Sequence, residues 1–229
     1  MAAEPQPTVQ IGKFQLRRGP WLVVVRLILI LVVVWIAYVV PPLSNWPMWV
    51  SAVGWIGFSV YWGVAARNSA EAKDSESAES RRAHVLLTNG GQLLLFAALP
   101  GLRQRFLPVS AAWVPAGLAM LAASIALAIW ARRHLGRNWS GRIEIKMDHE
   151  LVRTGPYRVF RHPIYTGVVG MCVGTALVDG HVHALVGIAM VVVAYWRKIR
   201  MEEAKLREAF GSRYDDYRRR TLGAVPGLF

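Results

Sequence analysis

Apolar residues in this chain gather into long uninterrupted runs instead of recurring at the period of a soluble helix or strand. Residues 27–40, 46–66 and 109–131 contain no charged side chain. At about 1.5 Å per residue, the last two runs can each cross a hydrocarbon core about 30 Å thick. The first is extended by residues 21–25 across Arg26, whose long stem reaches the interface. Residues 85–99 form a shorter candidate carrying Asn89, Gly90, Gly91 and Gln92. It either packs inside the bundle or enters the bilayer partway, with its polar groups bonding neighbouring helices. Residues 163–178 and 184–196 are two short apolar segments joined by a tight turn, Asp179-Gly180-His181. They predict a helical hairpin that dips into or across the membrane.

The predicted fold class is therefore all-α: a polytopic transmembrane bundle of four spans plus a C-terminal helical hairpin, with a polar cytoplasmic loop and a C-terminal helix. Residues 1–20 read as a tail, 21–133 as a half made of apolar spans, and 134–229 as a half of different composition, basic and glycine-bearing. In the tail helix, Leu206, Phe210, Tyr214 and Tyr217 recur at spacings that make one apolar face. Gly211 ends one helix there, and Ser212 with Asp215 offers a capping box for the next.

Charge changes the picture in one respect. The formal net charge is +13, which in a soluble chain suggests nucleic acid. Here the basic residues flank the apolar runs, densest in 132–161 and 197–220, whereas connectors 43–45 and 179–183 carry no Lys or Arg. That asymmetry predicts both termini and the basic loops on the cytoplasmic side, with the bilayer and not nucleic acid as partner. Arg103 and Arg105 run against it. The single cysteine, Cys172, lies in an apolar stretch, so neither a disulfide nor a thiolate cluster is expected, and no metal site is expected.

Three polar elements occur in order beside the apolar segments: His149-Glu150-Leu151-Val152 running on to Gly155-Pro156-Tyr157, then Arg161-His162-Pro163-Ile164-Tyr165, then Glu202-Glu203 followed by Phe210-Gly211 and Tyr214. Gly155-Pro156 signals a sharp reversal beside Tyr157. Pro163 suits the first position of a helix and holds His162 out of it, next to free backbone N–H groups that favour an anion. Gly167, Gly170 and Gly174 keep one side of that helix thin, so that another helix or a flat ligand can approach. Singly, each element has an ordinary use: an Arg-His pair anchors headgroups, and Glu203–Arg207 is a helical i,i+4 pair.

In this order the elements resemble the isoprenylcysteine carboxyl methyltransferase family and related phospholipid N-methyltransferases, over roughly the last 95 residues. The resemblance implies an integral membrane methyltransferase that uses S-adenosylmethionine. It implies cofactor contacts from His149, Glu150, Leu151, Val152, Tyr157, His162, Pro163, Ile164, Tyr165 and Glu202. A polar residue upstream also contributes in such enzymes, and Lys146 is the match here at a different spacing. Where the prenylcysteine enzymes carry an arginine one turn before the glutamate, this chain has Lys198, a point charge without a bidentate fork. Lys198, Arg200 and Glu203 are the candidate catalytic residues, the cations for an acidic acceptor and the carboxylate for an amine that must lose a proton. The acceptor implied is lipophilic or a small molecule, foremost an isoprenylcysteine-type carboxylate, with a phospholipid amine or small thiol as alternatives. A sterol-reductase-like enzyme and a non-catalytic binder of anionic lipid are the readings from other classes.

Overall fold

The computed structural model describes residues 9–11, 14–16, 45–66, 77–97, 99, 101–136, 139 and 151–225. The predicted first span, most of the loop after the second, and Lys146, His149 and Glu150 lie outside the described residues. Near the N-terminus, β1 (Val9–Ile11) and β2 (Phe14–Leu16) pair antiparallel, with Val9 opposite Leu16.

The remainder is helical. Helix α1 (Trp46–Ala66) is the predicted second span, α2 (Ala78–Leu94) the weak third, and α3 (Trp113–Leu135) the fourth. A 3-10 turn (Gly155–Arg158) then leads to α4 (Pro163–Asp179), α5 (Val182–Phe210) and α6 (Ser212–Arg219). Among the described residues, α1, α3 and α5 are long and apolar enough to cross a membrane, and α4 is a shorter apolar helix. The chain is an integral membrane protein.

Three expectations are revised. The second arm of the hairpin and the basic tail are one helix of 29 residues, because the helix-forming run after Trp196 offers nothing to break it before Gly211. Helix α2 starts seven residues earlier than the apolar run suggested, at Ala78, capped by Ser77, whose hydroxyl accepts from the backbone of Ser80. The predicted capping box is also not formed: Asp215 accepts from the Arg207 guanidinium at 3.2 Å instead of closing on the start of α6. Gly211, at φ 54°, does end α5.

Small residues set the packing. A Cβ on Gly117 of α3 meets the carbonyl oxygen of Gly174 at 2.6 Å, and one on Gly174 meets that of Gly117 at 2.7 Å. The thin side of α4 is thus filled by a helix, not by a ligand. Gly91 and Gly187 play the same part between α2 and α5, where a Cβ on either lies 2.6 Å or less from the other's carbonyl oxygen. Such close backbone approach is how helices associate where lipid removes the hydrophobic drive. The Trp55 indole donates to the Thr175 hydroxyl at 3.0 Å and ties α1 to α4 inside the core. In α2, Thr88 is buried and returns its hydroxyl to the His84 carbonyl at 2.7 Å, so this polar helix packs in the bundle.

Candidate functional site

Pro163 is the first residue of α4, and His162, at φ −127° and ψ 58°, stands just outside the helix. Fixed there, His162 faces α5, which returns along α4 and carries Glu202 and Glu203. His162 Nδ1 lies 3.6 Å from Glu202 Oε2, and Nε2 lies 3.3 Å from Glu203 Oε1. One turn into α4, the Tyr165 hydroxyl donates to Glu202 Oε1 at 2.6 Å. One turn before Glu202 on α5, Lys198 Nζ is 4.0 Å from the same oxygen and 5.6 Å from the Tyr165 ring. The rings of His162, Tyr165 and Tyr195 form a stack, at 5.6 and 4.6 Å between successive centroids.

The two glutamates differ in what remains open. Glu203 is saturated: Arg161 Nε donates to it at 3.0 Å, His162 is at 3.3 Å, and Arg218 Nε lies 3.4 Å from its second oxygen. Arg161 also donates to the carbonyls of Arg218 at 3.1 Å and Thr221 at 2.5 Å. Among the described residues, Glu202 has both Tyr165 and Lys198 on one oxygen and only the His162 ring near the other, so acceptor capacity is left for a ligand.

The Gly-Pro-Tyr turn forms a second wall. Gly155 takes φ 58°, and a Cβ there meets the His134 ring at 2.7 Å, so both backbone sign and space require glycine. The Tyr157 ring stacks on His134 and is held from behind by Tyr217, whose hydroxyl donates to the Tyr157 carbonyl at 2.7 Å. Burial pushes the Tyr157 hydroxyl far above its ordinary value and the Tyr217 hydroxyl up to about 12, so both stay neutral. Tyr157, Ile164, Ala131 and Trp139 make an apolar cluster against which Val152 and Tyr165 pack.

Of the residues singled out from sequence, the fold gathers Val152, Tyr157, His162, Pro163, Ile164, Tyr165, Lys198, Glu202 and Glu203. Leu151 is half-buried, in the irregular segment that leads to the turn. Arg200 is exposed, with its guanidinium 5.0 Å over the Trp196 ring and turned from the glutamates.

Sequence reasoning missed three parts. Arg161, quoted only as part of a motif, is the buried hub of the Glu203 network. The C-terminal strap was unforeseen: Arg161 N donates to the Leu222 carbonyl at 2.8 Å, and the Thr166 hydroxyl to that of Ala224 at 2.8 Å. Arg132, counted from sequence only within the basic group 132–161, turns inward, donating to the Ala65 carbonyl at 2.7 Å with its guanidinium 4.0 Å over Trp139. Its place at the end of a charge-free run was the available signal.

The family model described as phospholipid methyltransferase matches residues 113–213. Protein-S-isoprenylcysteine O-methyltransferase B of Arabidopsis thaliana is 31% identical over 131 residues, covering 56% of this chain and 64% of that protein. Protein-S-isoprenylcysteine O-methyltransferase A of the same plant is 32% identical over 139 residues, covering 59% and 66%. The chain spans less than two thirds of the length of these curated relatives. A solved structure of the eukaryotic intramembrane Ras methyltransferase ICMT is similar with a TM-score of 0.49 at 21% identity, over 88% of this chain and 74% of that one.

Proposed function

We propose, from the similarity of this chain to protein-S-isoprenylcysteine O-methyltransferases, that it belongs with them and moves a methyl group from S-adenosylmethionine to a lipid-like acceptor, foremost an isoprenylcysteine-type carboxylate. The observation that carries this reading is the contact between His162 and Glu202 at 3.6 Å, which turns two motifs on separate helices into one site. The residues fit the donor: Glu202 keeps free acceptor capacity for amine or ribose hydroxyl groups, and Val152, Tyr157 and Ile164 give an apolar floor. By the resemblance, Lys146, His149, Glu150 and Leu151 would also contact the donor; the first three lie outside the described residues. When bound, S-adenosylmethionine supplies an electrophilic methyl group on a sulfonium centre.

What the chain's own residues do is position and neutralise. Orienting two reactants can be worth about 7–11 kcal/mol. A carboxylate acceptor is already anionic and needs no base, so Lys198 is assigned to balance its charge. Glu203, saturated by Arg161, His162 and Arg218, is assigned a positioning role: it aims His162. Arg200, on the outer face beside Trp196, suits an anionic headgroup or the approaching acceptor. We place this site and both termini on the cytoplasmic side, where the basic loops cluster.

The test is transfer of label from radioactive S-adenosylmethionine by the protein in nanodiscs, offered S-farnesylcysteine, phosphatidylethanolamine or a small thiol in parallel. A base-labile methyl ester on S-farnesylcysteine is expected. Labelled amine or thioether in its place corrects the acceptor. No label anywhere, with consumption of a reduced nicotinamide dinucleotide, overturns the reading.

A further inference from the structure

We propose that Asp179, His181 and His183, at the turn between α4 and α5, form a divalent-cation site suited to zinc. It lies at the opposite end of α4 from His162, about 25 Å away at helical rise, and takes no part in methyl transfer.

The geometry is that of a ligand set. Asp179 Oδ2 lies 3.2 Å from His181 Nδ1 and 3.2 Å from His183 Nε2, and one ligand atom from each residue falls within 4.8 Å of the others. A tetrahedral zinc with bonds of about 2.0–2.1 Å holds neighbouring ligand atoms about 3.3 Å apart. Two histidines and a carboxylate with a fourth position open is a donor set zinc accepts.

The hydrogen bonds behind the rings say which nitrogens are free. His183 Nδ1 sits 2.8 Å from the Leu94 carbonyl, which can only accept, so Nδ1 carries the hydrogen. In the neutral ring, Nε2 then presents its lone pair to a carboxylate oxygen. A proton on Nε2 or a metal ion brings this nitrogen and the carboxylate oxygen to such a distance, and a ring whose far nitrogen is tied to a carbonyl is how metal-binding histidines are oriented. His181 Nδ1 is itself buried without a hydrogen-bond partner. The His181 and His183 rings stack nearly parallel, 8° apart, so both present an edge to Asp179.

The turn is built to hold this shape. Gly180 adopts φ 74°, and the His181 backbone N–H donates to Asp179 Oδ2 at 3.2 Å. The connector before α3 runs alongside: Phe106 N donates to the Gly180 carbonyl at 3.0 Å, Val182 N to that of Gln104 at 2.9 Å, and His183 N to that of Leu102 at 3.2 Å. The Arg105 guanidinium covers Gly180, leaving the half-exposed His181 side as the way in. Asp179 and His183 are buried.

The experiment uses the full chain, purified in detergent, stripped with a chelator and dialysed against zinc ion. Expected are one zinc retained per chain by elemental analysis, visible d–d absorption on cobalt substitution, and a melting temperature raised by zinc. His181→Ala, whose ring is half-exposed, should stay folded and lose all three. Asp179→Asn, similar in shape, should weaken zinc binding tenfold or more. A wild-type protein that retains no zinc, or a His181→Ala protein that retains as much, overturns the assignment and leaves a hydrogen-bonded turn.

Discussion

The Tyr165 hydroxyl donates to the Glu202 carboxylate at 2.6 Å, joining residues 37 positions apart, one from each arm of the C-terminal hairpin. Because that bond occupies one oxygen and leaves the other nearly free, Glu202 is the carboxylate available to a ligand. Glu202→Ala should weaken S-adenosylmethionine binding by about tenfold or more, about 1.4 kcal/mol, with little change in melting temperature. Unchanged affinity in calorimetry would reject the role.

Arg161 and Glu203 form a buried pair, with side chains 5% and 11% exposed. Arg161→Met leaves Glu203 with His162 and Arg218 and strands the Arg218 and Thr221 carbonyls. Removing one partner of such a pair costs about 3 kcal/mol. The detergent-solubilised protein should melt well below wild type, and an unchanged melting curve would show that the hub is dispensable.

Gly174 and Gly57 separate packing from helix propensity. A Cβ on Gly174 collides with the backbone of α3, whereas one on Gly57 meets nothing within 4 Å. Gly174→Ala should destabilise by about 1–3 kcal/mol, and Gly57→Ala should be neutral or slightly stabilising. Equal effects of the two on thermal denaturation would contradict the close α3–α4 approach.

Tyr217 gives a pH dependence with a defined sign. Its folded-state value is raised, by burial first, to about 12, against about 10 for a free tyrosine. Its contribution is therefore whole below about pH 10 and is lost as the pH climbs toward 12. Melting temperatures across that range should fall less steeply for Tyr217→Phe, which also lacks the bond to the Tyr157 carbonyl, worth about 1 kcal/mol.

Lys198 lies one turn from Glu202, where it can face both that carboxylate and an acceptor. Lys198→Gln should raise the KM for S-farnesylcysteine several-fold and leave S-adenosylmethionine affinity within about twofold, while Lys198→Arg should keep or improve the acceptor KM through its planar fork. Parallel loss of both affinities would move Lys198 to the cofactor side.

The apolar runs alone determined that this chain lives in a bilayer, because the length of a charge-free stretch is a local property that the hydrocarbon thickness reads directly. Pro163 and Gly211 were equally legible: a ring that fixes φ and a residue without Cβ act on their own backbone whatever surrounds them. The order of the Gly-Pro-Tyr, His-Pro-x-Tyr and Glu-Glu elements carried the resemblance to the methyltransferases. What only the tertiary structure decided were contacts between elements distant in sequence: which glutamate Arg161 saturates, that Arg132 turns inward to the Ala65 carbonyl, and that residues 221–225 strap the loop before α4. The first of these depends on the register of α5 against α4, and each of those helices is held from its other side, α4 on α3 at Gly174 and α5 on α2 at Gly187. A one-residue slip there turns Glu202 and Glu203 by about 100° around the helix, and no local pattern specifies which of the two then faces His162.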